Sequence, residues 1–299
     1  MSLRSLVHKT EYIVLKKDSN LEKIKQFQAD GFLILEDFLT EEEVTNLKKA
    51  GIELAENVPA DTQKTVFSTT QSPQSKDAYF LESGDKIRYF FETQAFNDKG
   101  ELQVPKSESL SKVGHALHWL HPVFKEISFS KKVQDLCNVL RMEAPVLLQS
   151  MYIYKNPQIG GEVVPHQDST FLHTDPNTLI GLWFALDNAT LENGCLWFIP
   201  GSHTSGVHRR YTRNPDPNAE ELVVFDRPPV TYPSSGFRPY PVSKGTCVVI
   251  HGNVVHKSEA NKSLKSRHAY TFHIMDATSK YSSDNWLQSP QGFPLLYPE

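Results

Sequence analysis

The chain has 299 residues, 39% of them hydrophobic and 22% charged, with a formal net charge of −4. That length allows one large β-rich domain or two smaller ones, and the slight acidity gives no reason to expect nucleic acid as a partner. No stretch approaches the roughly 18 apolar residues of a membrane span, and Cys137, Cys195 and Cys247 are too few and too scattered for a disulfide framework.

Residues 1–18 set a charged or polar group every few positions and lack a signal-peptide core. They are expected to be a flexible leader ahead of a single domain over 19–299. The last residues, Leu296-Tyr297-Pro298-Glu299, are not a peroxisomal tripeptide, which leaves a cytoplasmic location as the expectation. An amphipathic helix is predicted over 21–29, ended by Asp30-Gly31, and Phe32-Leu33-Ile34-Leu35 reads as a buried strand. Thr40 and Glu43 have the spacing of a capping box, with Leu39 and Val44 placed as its hydrophobic staple. The helix they open should run to about Glu56 and stop before Pro59. Residues 61–74 are polar and read as loop, and Ser83-Gly84-Asp85-Lys86 is a turn feeding the aromatic strand Ile87-Arg88-Tyr89-Phe90-Phe91. Helices are predicted over 110–121 and 130–140, the second with Ser130 as N-cap. Residues 19–144 thus form a helical N-terminal layer.

After Pro145 the pattern changes. Short runs rich in Val, Ile, Tyr, Phe and Trp recur at 146–154, 178–186, 194–199, 222–225, 246–251 and 267–275, separated by turn residues. Strands this short point to an antiparallel sandwich or barrel. The expected fold class is mostly β with flanking helices, with a jelly-roll core over 145–277 and a C-terminal tail over 278–299. Residues 204–241 are too polar, and too rich in Pro and Arg, to be core, and read as a lid, a binding loop or a disordered segment.

The chemistry is carried by Pro165-His166-Gln167-Asp168 and a distant histidine, His256. On an extended strand, His166 and Asp168 leave the same face. His256 follows Asp168 by 88 positions, after an apolar run and a Gly-Asn turn, far enough on for several strands to intervene. Two histidines and one carboxylate around a metal, with adjacent positions open, are the facial set used for non-haem Fe(II) and O₂ chemistry. Arg267, eleven positions after His256, opens the next strand, where its fork suits a carboxylate. Each part arises by chance in a chain with 12 histidines; the ordered combination is far more specific.

On these residues the chain resembles the phytanoyl-CoA dioxygenase family of Fe(II)/2-oxoglutarate oxygenases. The matching stretches include Asp30-Gly31-Phe32-Leu33, Ser83 to Arg88, the His-Gln-Asp segment, Leu191 to His203, His251 to Ser258, and the surroundings of Arg267. The resemblance spans about 21–297 and implies a double-stranded β-helix, or cupin-like, core. It implies that His166, Asp168 and His256 bind Fe(II), and that Arg267 with Ser258 holds the distal carboxylate of 2-oxoglutarate. Lys112, Met151 and Trp183 fall where the family lines the co-substrate pocket. The implied reaction takes O₂ and 2-oxoglutarate to succinate and CO₂, coupled to hydroxylation of a small-molecule substrate, anionic or acyl-CoA-like, by a monomer. The carboxylate of Asp168 favours hydroxylation, because related halogenases leave that position vacant for chloride.

Other readings compete. A metal- and 2-oxoglutarate-binding sensor without turnover would keep the same residues, and a carbohydrate-binding or structural jelly roll would make the three ligands incidental. His115, His118 and His121 have helical i, i+3, i+6 spacing that mimics a metal site, but no carboxylate or cysteine completes it. His203 and His208 read as structural residues or as supports behind the metal ligands. Arg209, Arg210 and Arg213 are either a solvated face or contacts to an anionic substrate, with Lys86 and Arg88 as a second candidate for that task.

Overall fold

The computed structural model describes residues 17–297. Of the leader expected over 1–18, residues 1–16 lie outside the described residues, and 17–18 already belong to the first helix. In chain order the first half comprises α1 (Lys17–Asp30), β1 (Phe32–Leu35), α2 (Glu41–Glu56), α3 (Ala78–Leu81), β2 (Ile87–Phe91), β3 (Leu110–His115), α4 (Leu117–Leu120), α5 (Pro122–Ser128) and α6 (Lys131–Val139). The second half is made of strands: β4 (Pro145–Ile153), β5 (Val163–His166), β6 (Thr174–Asp175), β7 (Ile180–Ala185), β8 (Leu196–Phe198), β9 (Tyr211–Arg213), β10 (Val223–Phe225), β11 (Arg238–Tyr240), β12 (Cys247–His251), β13 (His256–Ser258), β14 (Ala269–Asp276) and β15 (Lys280–Tyr281).

Seven strands form one antiparallel sheet in the order β1-β12-β7-β14-β4-β3-β2, and four form a second in the order β11-β8-β13-β5. Two small two-stranded sheets, β9 with β10 and β6 with β15, complete a mixed α/β fold in which neither large sheet closes on itself. The alternation of side chains along each strand explains the layers. In β7, Ile180, Leu182 and Phe184 enter a core shared with Val44 and Leu47 of α2 and with Phe124, Val133 and Leu136 of α5 and α6. Trp183 and Ala185 point the other way and join Leu196 and Phe198 of the smaller sheet. Both faces are covered, which is why β7 is an unbroken apolar run. In β12, Cys247 and Val249 likewise serve the first core, while Val248 and Ile250 serve the second.

The capping box forms as predicted. The Thr40 amide donates to Glu43 Oε2 at 2.8 Å and the Glu43 amide donates to Thr40 Oγ1 at 3.2 Å. Leu39 and Val44 are buried in one core cluster, as a staple requires. Ser130 does occupy the N-cap position of α6, but its hydroxyl makes no capping bond.

Two predicted elements are wrong. The helix expected over 110–121 is instead strand β3 followed by one turn, α4. Val113 and Gly114 are weak helix formers, and the segment completes the large sheet by pairing with β2 and β4 on its two sides. Residues 204–241, expected as a loop apart from the apolar run 222–225, contain β10 at that run and two strands that were not expected, β9 and β11, and β11 pairs with β8 to extend the smaller sheet. Tyr211 and Val223 of this segment are buried against Phe80, Trp286 and Leu287, so its polar composition hides a small core of its own.

Candidate metal centre and its cavity

Antiparallel pairing of β5 and β13 sets His166 directly opposite His256. Strand pairing ends at His166, the backbone stays extended through Gln167, and Asp168 opens a single 3-10 turn, Asp168–Thr170, pinned where the Ser169 amide donates to the Gly252 carbonyl at 2.8 Å. Gln167 keeps extended backbone, so His166 and Asp168 leave the same side as their i, i+2 spacing predicts, and the turn begins only at Asp168. Gln167 between them points away. Its amide nitrogen donates to the carbonyls of Gly206 and Asn253, and its oxygen accepts from the His208 amide at 2.8 Å.

His166 Nε2 and His256 Nε2 lie 3.5 and 3.6 Å from Asp168 Oδ1, and one ligand atom from each residue falls within 4.8 Å of the other two. Each imidazole gives its Nδ1 hydrogen to a backbone carbonyl, His166 to Val164 at 2.9 Å and His256 to Val254 at 3.1 Å. A carbonyl only accepts, so Nδ1 carries the proton and Nε2 presents its lone pair to the common point. Burial and the neighbouring His166 push His256 down to about 4, so the ring is neutral at physiological pH. Burial works against charge on Asp168, but the facing His256 and His273 outweigh it and hold its pKa well below the carboxylate range. Two imidazoles and one carboxylate fit an iron(II) ion: the donor set is of the 2-His-1-carboxylate type.

All eight sequence-predicted residues (His166, Asp168, His256, Arg267, Ser258, Lys112, Met151 and Trp183) line one cavity of about 230 Å³. Arg267 is 2% exposed. Its Nη2 donates to Ser258 Oγ at 3.4 Å and its guanidinium lies 5.2 Å from the centre of the Trp183 ring, while Nε and Nη1 are buried with no protein partner. Burial lowers it to about 10, which still leaves it charged at neutral pH. Two unpaired, buried, charged donors are costly unless something accepts from them, and a carboxylate is the matching acceptor. Lys112, expected on a helix, reaches the cavity from β3. Its ammonium stands 3.2 Å above the Phe67 ring, and burial pushes it down to about 7. His115, His118 and His121 do not converge. His115 pairs with Ser83 and His118 with Ser150, so both are structural.

Three residues beside the centre carry no motif. His273 Nε2 lies 3.2 Å from Asp168 Oδ2, the oxygen turned away from the two histidines. Gln149 adjoins the other side of that ring, with its Nε2 3.3 Å from His273 Nδ1. Gly181 leaves the space they need, because a Cβ there would sit 3.1 Å from Asp168 Oδ2 and 3.4 Å from His273 Nε2. A period-2 count from Arg267 through Ala269 and Thr271 reaches His273, and was the available signal.

A model of the family described as phytanoyl-CoA dioxygenase (PhyH) matches residues 27–269. Phytanoyl-CoA dioxygenase domain-containing protein 1 of Mus musculus is 50% identical over 92% of this chain and 97% of its own length, and that of Danio rerio is 48% identical over 92% and 98%. The chain belongs to the phytanoyl-CoA dioxygenase family. Among solved structures, the non-haem alpha-ketoglutarate-dependent epimerase SnoN from nogalamycin biosynthesis aligns with a TM-score of 0.63 at 16% identity, over 94% of this chain and 97% of that one. EctD from S. alaskensis with 2-oxoglutarate and 5-hydroxyectoine aligns with a TM-score of 0.61 at 18% identity, over 91% and 84%. At such identities the likeness concerns the fold. Family membership and the triad together make this chain a non-haem iron dioxygenase that uses 2-oxoglutarate.

Proposed function

We propose that the cavity hydroxylates a small or acyl-type organic substrate at the expense of O₂ and 2-oxoglutarate, with His166, Asp168 and His256 holding the iron. The observation that carries this is the meeting, in one cavity, of a two-histidine, one-carboxylate cluster and a buried arginine with two unpartnered N–H groups. Arg267, steadied by Ser258, would take the distal carboxylate of 2-oxoglutarate in charge-assisted hydrogen bonds. Lys112 would add a second positive charge, and Trp183 and Met151 would wall the co-substrate off from water. The Val164 and Val254 carbonyls keep the lone pairs of both imidazoles aimed inward. His273 keeps the second oxygen of Asp168 occupied, so that the carboxylate offers one. Iron(II) bound there supplies the redox step that couples decarboxylation of 2-oxoglutarate to insertion of one oxygen atom into a C–H bond.

The same reading extends to organisation. The two facing antiparallel sheets, with the ligands on β5, β13 and the turn after β5, support a double-stranded β-helix core within one domain over 19–299. Three free, buried cysteines suit the reducing cytosol.

The test is aerobic incubation of the full chain with Fe(II) and labelled 2-oxoglutarate. Succinate and CO₂ should form slowly without added substrate, and Asp168→Ala should reduce that release at least about a hundredfold, above the loss typical of altered ligand-supporting residues. Binding of labelled 2-oxoglutarate without succinate release would make the chain a sensor instead, and no binding at all would refute both.

A further inference from the structure

The outer part of the cavity answers which basic group could meet a substrate. Of the arginines in 204–241, Arg210 donates to Ser282 Oγ and faces Asp284, Arg213 donates to the Trp286 carbonyl, Arg227 faces Asp226 and Arg238 is exposed on β11. Arg209 has no ion-pair or hydrogen-bond partner among the described residues, and it lines the cavity. Its guanidinium lies 3.8 Å over the Phe225 ring, which leaves the N–H edge free while one face is covered. Lys257 also lines the cavity but is paired with Glu259. Lys86 and Arg88 are not in its lining; Arg88 stacks on Tyr79 and bonds its carbonyl. Beside Arg209 the wall is apolar and aromatic (Phe171, Tyr211, Phe225, Val230, Tyr232), and the Tyr211 hydroxyl is buried with no partner.

We propose that the substrate is a small free carboxylic acid with an apolar, ring-compatible body, its single carboxylate held by Arg209 and its body packed among Phe171, Tyr211 and Phe225. This rests on the dioxygenase reading above and names the substrate class for that site. One unpaired cation matches one anionic group, whereas a coenzyme A ester brings several phosphate charges that this rim does not meet. A cavity of about 230 Å³ that also has to admit the co-substrate lies below the roughly 300–1,000 Å³ of drug-sized sites, which favours a small acid. The orphaned Tyr211 hydroxyl supplies one further hydrogen bond for a polar group on the body or for the carboxylate itself.

The experiment is calorimetric titration, without oxygen, of the full chain loaded with Fe(II) and 2-oxoglutarate. The probes are 3-phenylpropanoate and cyclohexylacetate, each beside its primary amide and its coenzyme A thioester. At least one acid should bind about tenfold or more tightly than its amide and its thioester, the factor expected from a charge-assisted bond to arginine. In Arg209→Gln that preference should fall to near unity, Arg209→Lys should restore part of it, and Arg213→Gln should keep it. Acid and amide binding alike, no acid binding, a thioester binding tightest, or a preference that survives Arg209→Gln would each overturn the proposal. The acid-to-amide ratio is measured on the native chain and does not depend on whether a variant folds. Succinate release without any added acid, followed in parallel, separates the two failures: if it occurs while acid and amide bind alike, only the substrate class is wrong.

Discussion

The two halves of the cavity are built by different means. The inner half is framed by paired strands of two sheets: β5 and β13 oppose His166 and His256, β7 brings Trp183 and the open space at Gly181, and β14 follows Arg267 and carries His273. Register fixes these groups against one another, and a one-residue slip would turn them outward. The outer half is made by irregular chain from 61–74, by 204–241 and by Trp286, which follows the last strand, and few of its side chains are held in a sheet. Chemistry common to a family sits on the rigid half, and selection of substrate falls to the half where the chain can vary without disturbing strand register. Substitutions in the two halves should therefore separate cleanly, inner ones acting on iron and 2-oxoglutarate and outer ones on the primary substrate alone.

The largest separation is expected at Arg267. Arg267→Gln keeps most of the side-chain volume and removes the charge, so 2-oxoglutarate should lose about two charge-assisted hydrogen bonds. Its KM should rise about a hundredfold or more, with iron affinity changed little, as read by succinate formation across 2-oxoglutarate concentration and by a metal-binding titration. Next comes His273. His273→Leu removes the group facing Asp168 Oδ2 and should weaken Fe(II) binding about 10- to 100-fold, the range seen when supports of metal ligands are altered. His273→Asn, which keeps a donor, should recover part of that loss. An unchanged iron affinity in His273→Leu would show that Asp168 is positioned by its turn alone.

The halves also differ in how far they could be foreseen. The triad and Arg267 were legible because each residue type has a narrow set of jobs and their order along the chain is distinctive. The capping box of α2 and the apolar strands were legible because local sequence decides them. Lys112 shows the limit. Its segment is predicted as helix, yet pairing with β2 and β4 overrides local preference, a term no single segment contains. The buried side of 204–241 was hidden for the same reason. Tyr211 and Val223 are buried only because Phe80 and Trp286, far off in the chain, close over them. Arg209 was indistinguishable from Arg210 and Arg213 until their partners were in place.

The Lys112 position makes the inner half sensitive to pH. Burial favours the neutral amine and lowers it from 10.5 to about 7. Between about pH 7 and 10.5 the folded chain therefore binds fewer protons here than the unfolded chain, so this residue's penalty on stability is full below 7 and relieved as pH rises through that window. Binding of 2-oxoglutarate works in the opposite sense, because a dianion favours the ammonium form. Affinity for 2-oxoglutarate should fall as pH climbs above about 7, by up to about tenfold per unit while the amine is mostly neutral. Lys112→Arg stays charged and should flatten that dependence, and Lys112→Met should abolish it and lift thermal stability at neutral pH. A titration of 2-oxoglutarate affinity against pH, with thermal melts in parallel, reads both signs.

The smallest effect is expected where the outer half is fastened down. Arg213 ties β9 to the C-terminal chain: its Nε donates to the Trp286 carbonyl at 3.1 Å, and its backbone amide donates to the Asp284 carbonyl at 2.8 Å. Arg213→Gln keeps the backbone bond and removes one side-chain bond, a loss of about 1 kcal/mol. Because β9 and β10 form a two-stranded sheet separate from the two large ones, that loss should loosen the wall formed by Tyr211 and Phe225 without reaching β5, β13 or β14. Binding of acid and amide probes should weaken together, by a few-fold, while iron affinity and succinate release without substrate keep their native values. If iron affinity fell in step with probe binding, the two halves would be mechanically one. The link would then run through Gln167, whose side chain bonds Gly206 and His208 of the outer segment while its backbone joins His166 to Asp168.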